Sequence, residues 1–381
     1  MRWDIFCKVI DNHGDLGVCW RLARDLASRG HTARLWVDDA AALRWMAPEV
    51  APDGLGHAGI AVHLWPEDNQ APADGWPEPG EVVIEAFGCD LPGGFVARMQ
   101  RPAAPRWINL EYLSAESYVE RSHGLRSPVF SGPGAGLLKH FFYPGFTGRT
   151  GGLLREAGLP AARGLAQADD AARTLTLKNL GISWQPGERV VSIFCYPGAP
   201  VAAVLARLGE IAQAQGGPGI RVLLTPGAAT QATHALPTDT PGLHLHPLPY
   251  LPQPAYDALL WACDLNFVRG EDSAVRALWA GQPHVWHIYP QEDGVHEGKL
   301  HAFMARWMAR WPADLTADVQ SLWRAWNGLP TPAGAGLETL PCLWAPSRWR
   351  TWQENSLRSC HELARQTDLV TQLLQFVTAP G

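Results

Sequence analysis

Two aspartates four residues apart, Asp11 and Asp15, stand in the stretch Asp11-Asn12-His13-Gly14-Asp15-Leu16-Gly17 near the N-terminus. Carboxylates so placed can take up a proton, hold a cation or grip a planar cationic group, and they would repel a phosphate. A second cluster is Arg269-Gly270-Glu271-Asp272-Ser273. There an arginine precedes a helix start, whose free amides together with the guanidinium suit a diphosphate. Upstream of it, Tyr250, Gln253 and Tyr256 add aromatic faces and an amide able to stack on and hydrogen-bond a base.

Periodicity shows what must position these groups. Residues 3–10 (WDIFCKVI) are predicted as a buried strand, and residues 18–28 as a helix with Cys19, Leu22, Ala23 and Leu26 on one face. Gly30 closes that helix, and residues 32–37 form the next strand. This βαβ opening lacks the GxGxxG fingerprint of dinucleotide binders. It puts the carboxylates at the carboxyl end of a strand, where open α/β sheets bind ligands. Strands follow at 82–87 and 106–110, the latter running into Glu111, Tyr112 and Glu116, while 131–146 looks like a turn-rich loop.

An Ala-rich, then polar, stretch over 157–185 suits a connection between domains. A second α/β pattern restarts beyond it, with strands at 190–195, 220–225, 243–246, 264–268 and 283–288. Helices are expected at 201–215, 256–262 and 273–279, with Asp272 or Ser273 as the N-cap of the last. The expected fold class is α/β, with two Rossmann-like domains facing a cleft. The domains are 1–184, completed by a C-terminal helix over 350–381, and 185–349.

Composition narrows the function. A chain of 381 residues with 46% hydrophobic content can build two cores. Charged residues are only 18% and the net charge is −6, which argues against nucleic acid as a partner. The seven cysteines include no CxxC pair and read as buried, reduced thiols. Most of the 18 tryptophans read as packing. Asp4, Lys8 and Asp11 interrupt any signal-peptide core, and no stretch reaches the roughly 18 apolar residues of a membrane helix. A cytoplasmic protein with no membrane association is expected. His296 and His301 are spaced i, i+5 rather than as HExxH and so form no zinc pattern, and Gly132-Pro133-Gly134-Ala135-Gly136 lacks the Lys-Ser/Thr of a phosphate loop and reads as a turn. A diphosphate held by arginine and helix amides requires no metal, and none is expected.

Several longer motifs occur together: WDIFCKVIDNHGDLGVCWRLARDL, NLEYLSAE, FFYPGF, GGLLRE, SIFCY, LPYLPQ, RGEDS and PHVWHIYPQ. Through them, nearly from end to end, the chain resembles the protein-arginine rhamnosyltransferases that modify bacterial elongation factor P, the EarP family. The resemblance implies an inverting GT-B glycosyltransferase that needs no metal. Its donor would be dTDP-β-L-rhamnose, and its acceptor an arginine guanidinium on elongation factor P. It implies Asp15 as general base, Asp11 as the companion carboxylate that orients the guanidinium, and Glu271 as an acid beside the reacting sugar. Tyr196, Gln253, Arg269, Asp272 and Ser273 match the nucleotide-sugar site, and Phe194, Tyr250 and Tyr256 fall where the family packs aromatics around the thymine. His13, Gly14, Glu111 and Tyr112 would face the acceptor. Two departures are His13, where an aromatic is usual, and Tyr250, where Phe is expected.

The chemistry agrees with the residue types. Arginine has a pKa of about 12.5–13.8 against about 3.9 for aspartate, so full deprotonation beforehand would cost roughly 12 kcal/mol. Proton loss late in the attack, as the C–N bond makes the nitrogen acidic, avoids that cost. A carboxylate pair then also holds the planar fork in place. Simpler roles stay open: Asp11 and Asp15 as turn and cap residues or Mg²⁺ ligands, Tyr250 and Tyr256 as packing, and Glu111, Tyr112 and Glu116 as a strand end. At the level of the whole chain, the alternatives are a transferase acting on a small molecule or glycan and a binding protein that kept the fold.

Overall fold

The computed structural model describes residues 1–9, 13–50, 56–65, 71–72, 75–233, 240–291 and 293–379. The chain divides into two compact units, Met1–Glu156 with Gln366–Gly381, and Ala157–Arg365.

The first unit holds β1 (Arg2–Cys7), β2 (Thr32–Val37), β3 (Ile60–Leu64), β4 (Val82–Ala86), β5 (Arg106–Leu110), β6 (Arg126–Pro128) and β7 (Leu138–Phe142). They form one sheet in the order β3-β2-β1-β4-β5-β7-β6, parallel except for β6. Strand β1 is apolar on both faces because helices and loops cover both. Trp3, Ile5 and Cys7 enter one core with Leu16, Leu22 and Leu26 of the helix Gly14–Ser28. Phe6 enters the other core with Trp36, Trp65 and Phe95. The helix Leu369–Thr378 returns to the first of these cores through Val370 and Leu373.

Two polar groups inside this sheet are fully served. Asp4 accepts from both arms of Arg34 (2.6 and 2.8 Å), from Trp36 Nε1 and from the Gly80 amide. Glu85 accepts from Trp107 Nε1 and lies 2.8 Å from Lys139 Nζ. Removing one partner from such a buried pair costs more than the pair contributes.

The second unit holds β8 (Arg189–Ile193), β9 (Ile220–Leu224), β10 (Leu243–Pro247), β11 (Leu265–Arg269) and β12 (His284–His287). All are parallel, in the order β10-β9-β8-β11-β12. Counted within each unit, both sheets therefore run 3-2-1-4-5, the doubly wound order, with a reversal between the first and fourth strands.

The unit boundaries differ from those expected. Residues 157–185 are not a connection: Leu159–Ala166 and Asp170–Asn179 are helices of the second unit. Leu177 packs with Val190 and Leu259, and Arg173 pairs with Asp264 at 2.6 Å. The long helix Pro346–Leu363 also belongs to the second unit, where Arg348 pairs with Asp314 and Asp318 and Trp311 Nε1 bonds Ser359. Only the last helix joins the first unit. Among the described residues, no helix is long and apolar enough to cross a membrane.

Candidate active site

In each unit the expected ligand position is the crevice beyond the carboxyl ends of the first and fourth strands. In the first unit these are β1 and β4, with β5 beside β4. The helix after β1 starts at Gly14, so Asp15 lies in its first turn rather than in a loop before residue 18. A helix start favours the ionised carboxylate. Asp15 is only 4% exposed, and the Tyr112 hydroxyl lies 3.4 Å from its Oδ2. Tyr112 follows β5 and stacks on Phe87, which follows β4, at 4.5 Å and 17°.

The other residues expected to face the acceptor have their own contacts. His13 caps the helix by backbone only, its carbonyl accepting from Gly17, and its ring meets Trp45 edge-on at 5.3 Å. Glu111 accepts from Asn109 at 2.8 Å. It helps push the Tyr143 phenol up to about 12, behind the larger effect of burial. Tyr118, beside Tyr143 at 5.9 Å, is raised by burial, then by Glu116 and Glu111. Asp11 lies outside the described residues.

In the second unit β11 ends at Arg269, and Gly270, with φ +63°, turns the chain into the helix Gly270–Ala280. The Arg269 guanidinium lies over the rings of Phe194 (4.4 Å) and Tyr196 (4.7 Å), both just beyond β8. The fork is thus held at the mouth of the helix, where amides and guanidinium can meet an anion together. Glu271, Asp272 and Ser273 all lie within the first turn. Asp272 and Ser273 are not the cap: the helix starts earlier, Arg269 occupies that position, and no side chain caps it.

Phe194 also meets Tyr256 edge-on at 5.9 Å. The Tyr256 ring is half-buried while its hydroxyl end is fully covered, and burial raises the phenol far above its usual range. Gln253 opens the helix Gln253–Ala262 and is buried. That helix is tied to Gly270–Ala280 by a buried two-pronged pair, Arg276 with Asp257 at 2.9 and 2.7 Å. Tyr250 is 54% exposed.

Two further residues stand at this site. Tyr196 is flanked edge-on by His287 and Tyr289, each at 5.3 Å, and its amide donates to His287 Nδ1 at 3.2 Å. Burial first, and Arg269 next, lower His287 to about 4, so it stays neutral and accepting. Both residues lie in the motif PHVWHIYPQ, where their alternation in an apolar strand reads as packing. Burial pushes the neighbouring Cys195 thiol up to about 12, which leaves it inert as a nucleophile.

The model of the family described as elongation factor P (EF-P) rhamnosyltransferase EarP matches residues 3–378. The protein-arginine rhamnosyltransferase of Pseudomonas putida is 41% identical over 388 residues, covering 98% of each chain. That of Shewanella oneidensis is 39% identical over 86% of this chain and 85% of its own. A solved structure reported as the structural basis for EarP-mediated arginine glycosylation of translation elongation factor EF-P is similar over 98% of both chains. Its TM-score is 0.62 at 29% identity. The glycosyltransferase SsfS6 of Streptomyces sp. SF2575 shares the fold, with a TM-score of 0.51 at 11% identity over 98% of this chain and 99% of its own. With two doubly wound units and relatives alike from end to end, the chain belongs to the EarP family and is a protein-arginine rhamnosyltransferase of the GT-B fold.

Proposed function

We propose that this chain, acting in the cytoplasm, transfers L-rhamnose with inversion from dTDP-β-L-rhamnose to an arginine guanidinium of elongation factor P. The observation that carries this is the Arg269 fork, braced by Phe194 and Tyr196 at a helix N-terminus, a site built for a diphosphate leaving group. Asp15 is the general base. It accepts the guanidinium proton late, as the nitrogen attacks the anomeric carbon and the bond to the diphosphate breaks. Asp11 orients the planar fork, and Glu271 supports the oxocarbenium-like transition state. His13, Gly14, Glu111 and Tyr112 face the acceptor. Asp272, Ser273 and Gln253 hold the nucleotide, and Phe194, Tyr250 and Tyr256 pack around the thymine. Arg269 and the helix amides meet the diphosphate charge, so the scheme assigns no metal.

Intact-mass analysis of purified elongation factor P, after incubation with the protein and dTDP-β-L-rhamnose, tests this directly. A gain of one deoxyhexose, lost when the acceptor arginine is replaced by lysine and kept in chelator, is expected. No mass change, with the sugar nucleotide still binding by calorimetry, would reopen the acceptor. The absence of both mass change and binding would overturn the proposal.

A further inference from the structure

Phe87 is the least expected residue at the first unit's strand ends. It is a bulky, non-glycine residue with φ +58°, a conformation that costs free energy for an L side chain and persists only where its surroundings enforce it. Here they do. Its amide donates to the Leu110 carbonyl at 2.7 Å, and the next turn is fixed by the Cys89 amide on Ala86 and the Cys89 thiol on the Phe6 carbonyl. The consequence of this backbone is that the half-buried Phe87 ring lies flat on Tyr112, the residue whose hydroxyl reaches Asp15.

We propose that Phe87 and Tyr112 act as a positioning pair, the stack holding the phenol against Asp15 so that its carboxylate stays ionised and correctly turned to take up the acceptor's proton. This rests on Asp15 being the base. Neither residue is itself catalytic. The 3.4 Å separation is long for an O–H···O bond, as is common for catalytic contacts before substrate binds. Of the other titratable groups around Asp15, the Cys7 thiol at the end of β1 is held well above its ordinary value by Cys19 and by burial. It stays neutral. Arg21, on the same helix, lies near Glu156. Tyr112 crosses from another strand end to donate to the carboxylate.

The sign follows from the donor. A hydrogen bond to the ionised form lowers a carboxyl pKa, so losing the hydroxyl raises it. Tyr112→Phe keeps the ring and the stack. In the full-length protein it should move the acid limb of kcat/KM for elongation factor P upward by about 0.5–1 pH unit. Donor KM should be unchanged. Phe87→Leu, which keeps apolar volume but loses the stack, should lower kcat roughly 3–10-fold and shift the limb the same way, and Phe87→Tyr should restore both. Wild-type limbs in Tyr112→Phe and Phe87→Leu would overturn the pair, as would a fall in kcat with no shift. Asp15→Asn, measured alongside, separates the two ideas. Retained turnover there removes the base itself, whereas an inactive Asp15→Asn beside a normal Tyr112→Phe removes only the pair.

Discussion

The two units share a strand order and differ in the charge they place at its reversal. Beyond β1 and β4 the first unit presents a carboxylate, Asp15, with a phenol against it. Beyond β8 and β11 the second presents a guanidinium, Arg269, over two aromatic rings. Under the proposed function, the same backbone frame serves a proton acceptor in one place and an anion clamp in the other. What decides the difference is the first residues after two strands in each unit. The fold supplies position, and the side chains supply sign.

The sharpest way to break this contrast is Asp15→Asn. The amide keeps the size and the helix start but cannot take a proton. Turnover should fall about 10²–10⁴-fold, while calorimetric binding of the sugar nucleotide stays within about twofold. A loss of donor binding would show that the division of labour between the units is wrong. Arg269→Ala should do the reverse, cutting kcat/KM for the donor about 10²–10³-fold and weakening binding of the nucleotide diphosphate. Arg269→Lys keeps the charge but not the planar fork that lies over Phe194 and Tyr196. It should fall between wild type and alanine, and recovery to full activity would mean that charge alone matters.

Much of this contrast was legible in the chain, and the exceptions have physical causes. The strands at 32–37 and 106–110 and the helix at 201–215 stand where periodicity predicts them, because buried apolar runs and one-sided stripes survive any packing. β3 and β7 were not expected. β3 has partly exposed faces, and β7 carries Lys139 and His140 amid glycine and proline. Its lysine is there to meet Glu85, a partner far away in sequence. Domain limits fail for the same reason: only Leu177 against Val190, or Arg173 against Asp264, shows where residues 157–185 pack. Asp15 was legible as a carboxylate just beyond the first strand but not as a first-turn residue, since His13-Gly14 gives no strong cap signal. Arg269 and its aromatic partners were legible from motif and spacing. Phe87 was not, because nothing in a sequence marks a phenylalanine that must adopt a left-handed backbone.

A third test sharpens what distinguishes the second unit's interior. His284 is fully buried against Trp307 and Trp323, its Nδ1 3.2 Å from the Gln282 carbonyl, and burial lowers its pKa to about 4. Above pH 6.5 the imidazole is neutral folded or unfolded, and stability is unaffected. Between pH 6.5 and 4 the unfolded chain takes up a proton that the folded one refuses, so stability falls as pH falls. At pH 5 the loss from this residue is about 2 kcal/mol relative to pH 7.5. His284→Phe, which keeps a ring between the two tryptophans, should flatten the acid side of a denaturation series by that amount, and His287 would retain its own share. An unchanged acid slope would mean that water reaches the imidazole.

The smallest expected effect bears on how the anion clamp is braced. Phe194→Leu preserves apolar volume against Arg269 and removes the ring face, leaving Tyr196 in place. A cation over an aromatic face at a partly exposed site is worth about 0.5–1 kcal/mol, so binding of the nucleotide diphosphate should weaken roughly two- to fivefold. Because the leaving group depends on the fork at every stage of bond breaking, kcat should fall no more than the affinity does, and acceptor KM should not move. Phe194→Tyr should restore the lost affinity, since the π face returns. If leucine proves neutral, Arg269 is oriented by Tyr196 and the helix start alone. If the loss instead exceeds that of Arg269→Lys, the packing of Phe194 on the thymine outweighs its bracing of the clamp.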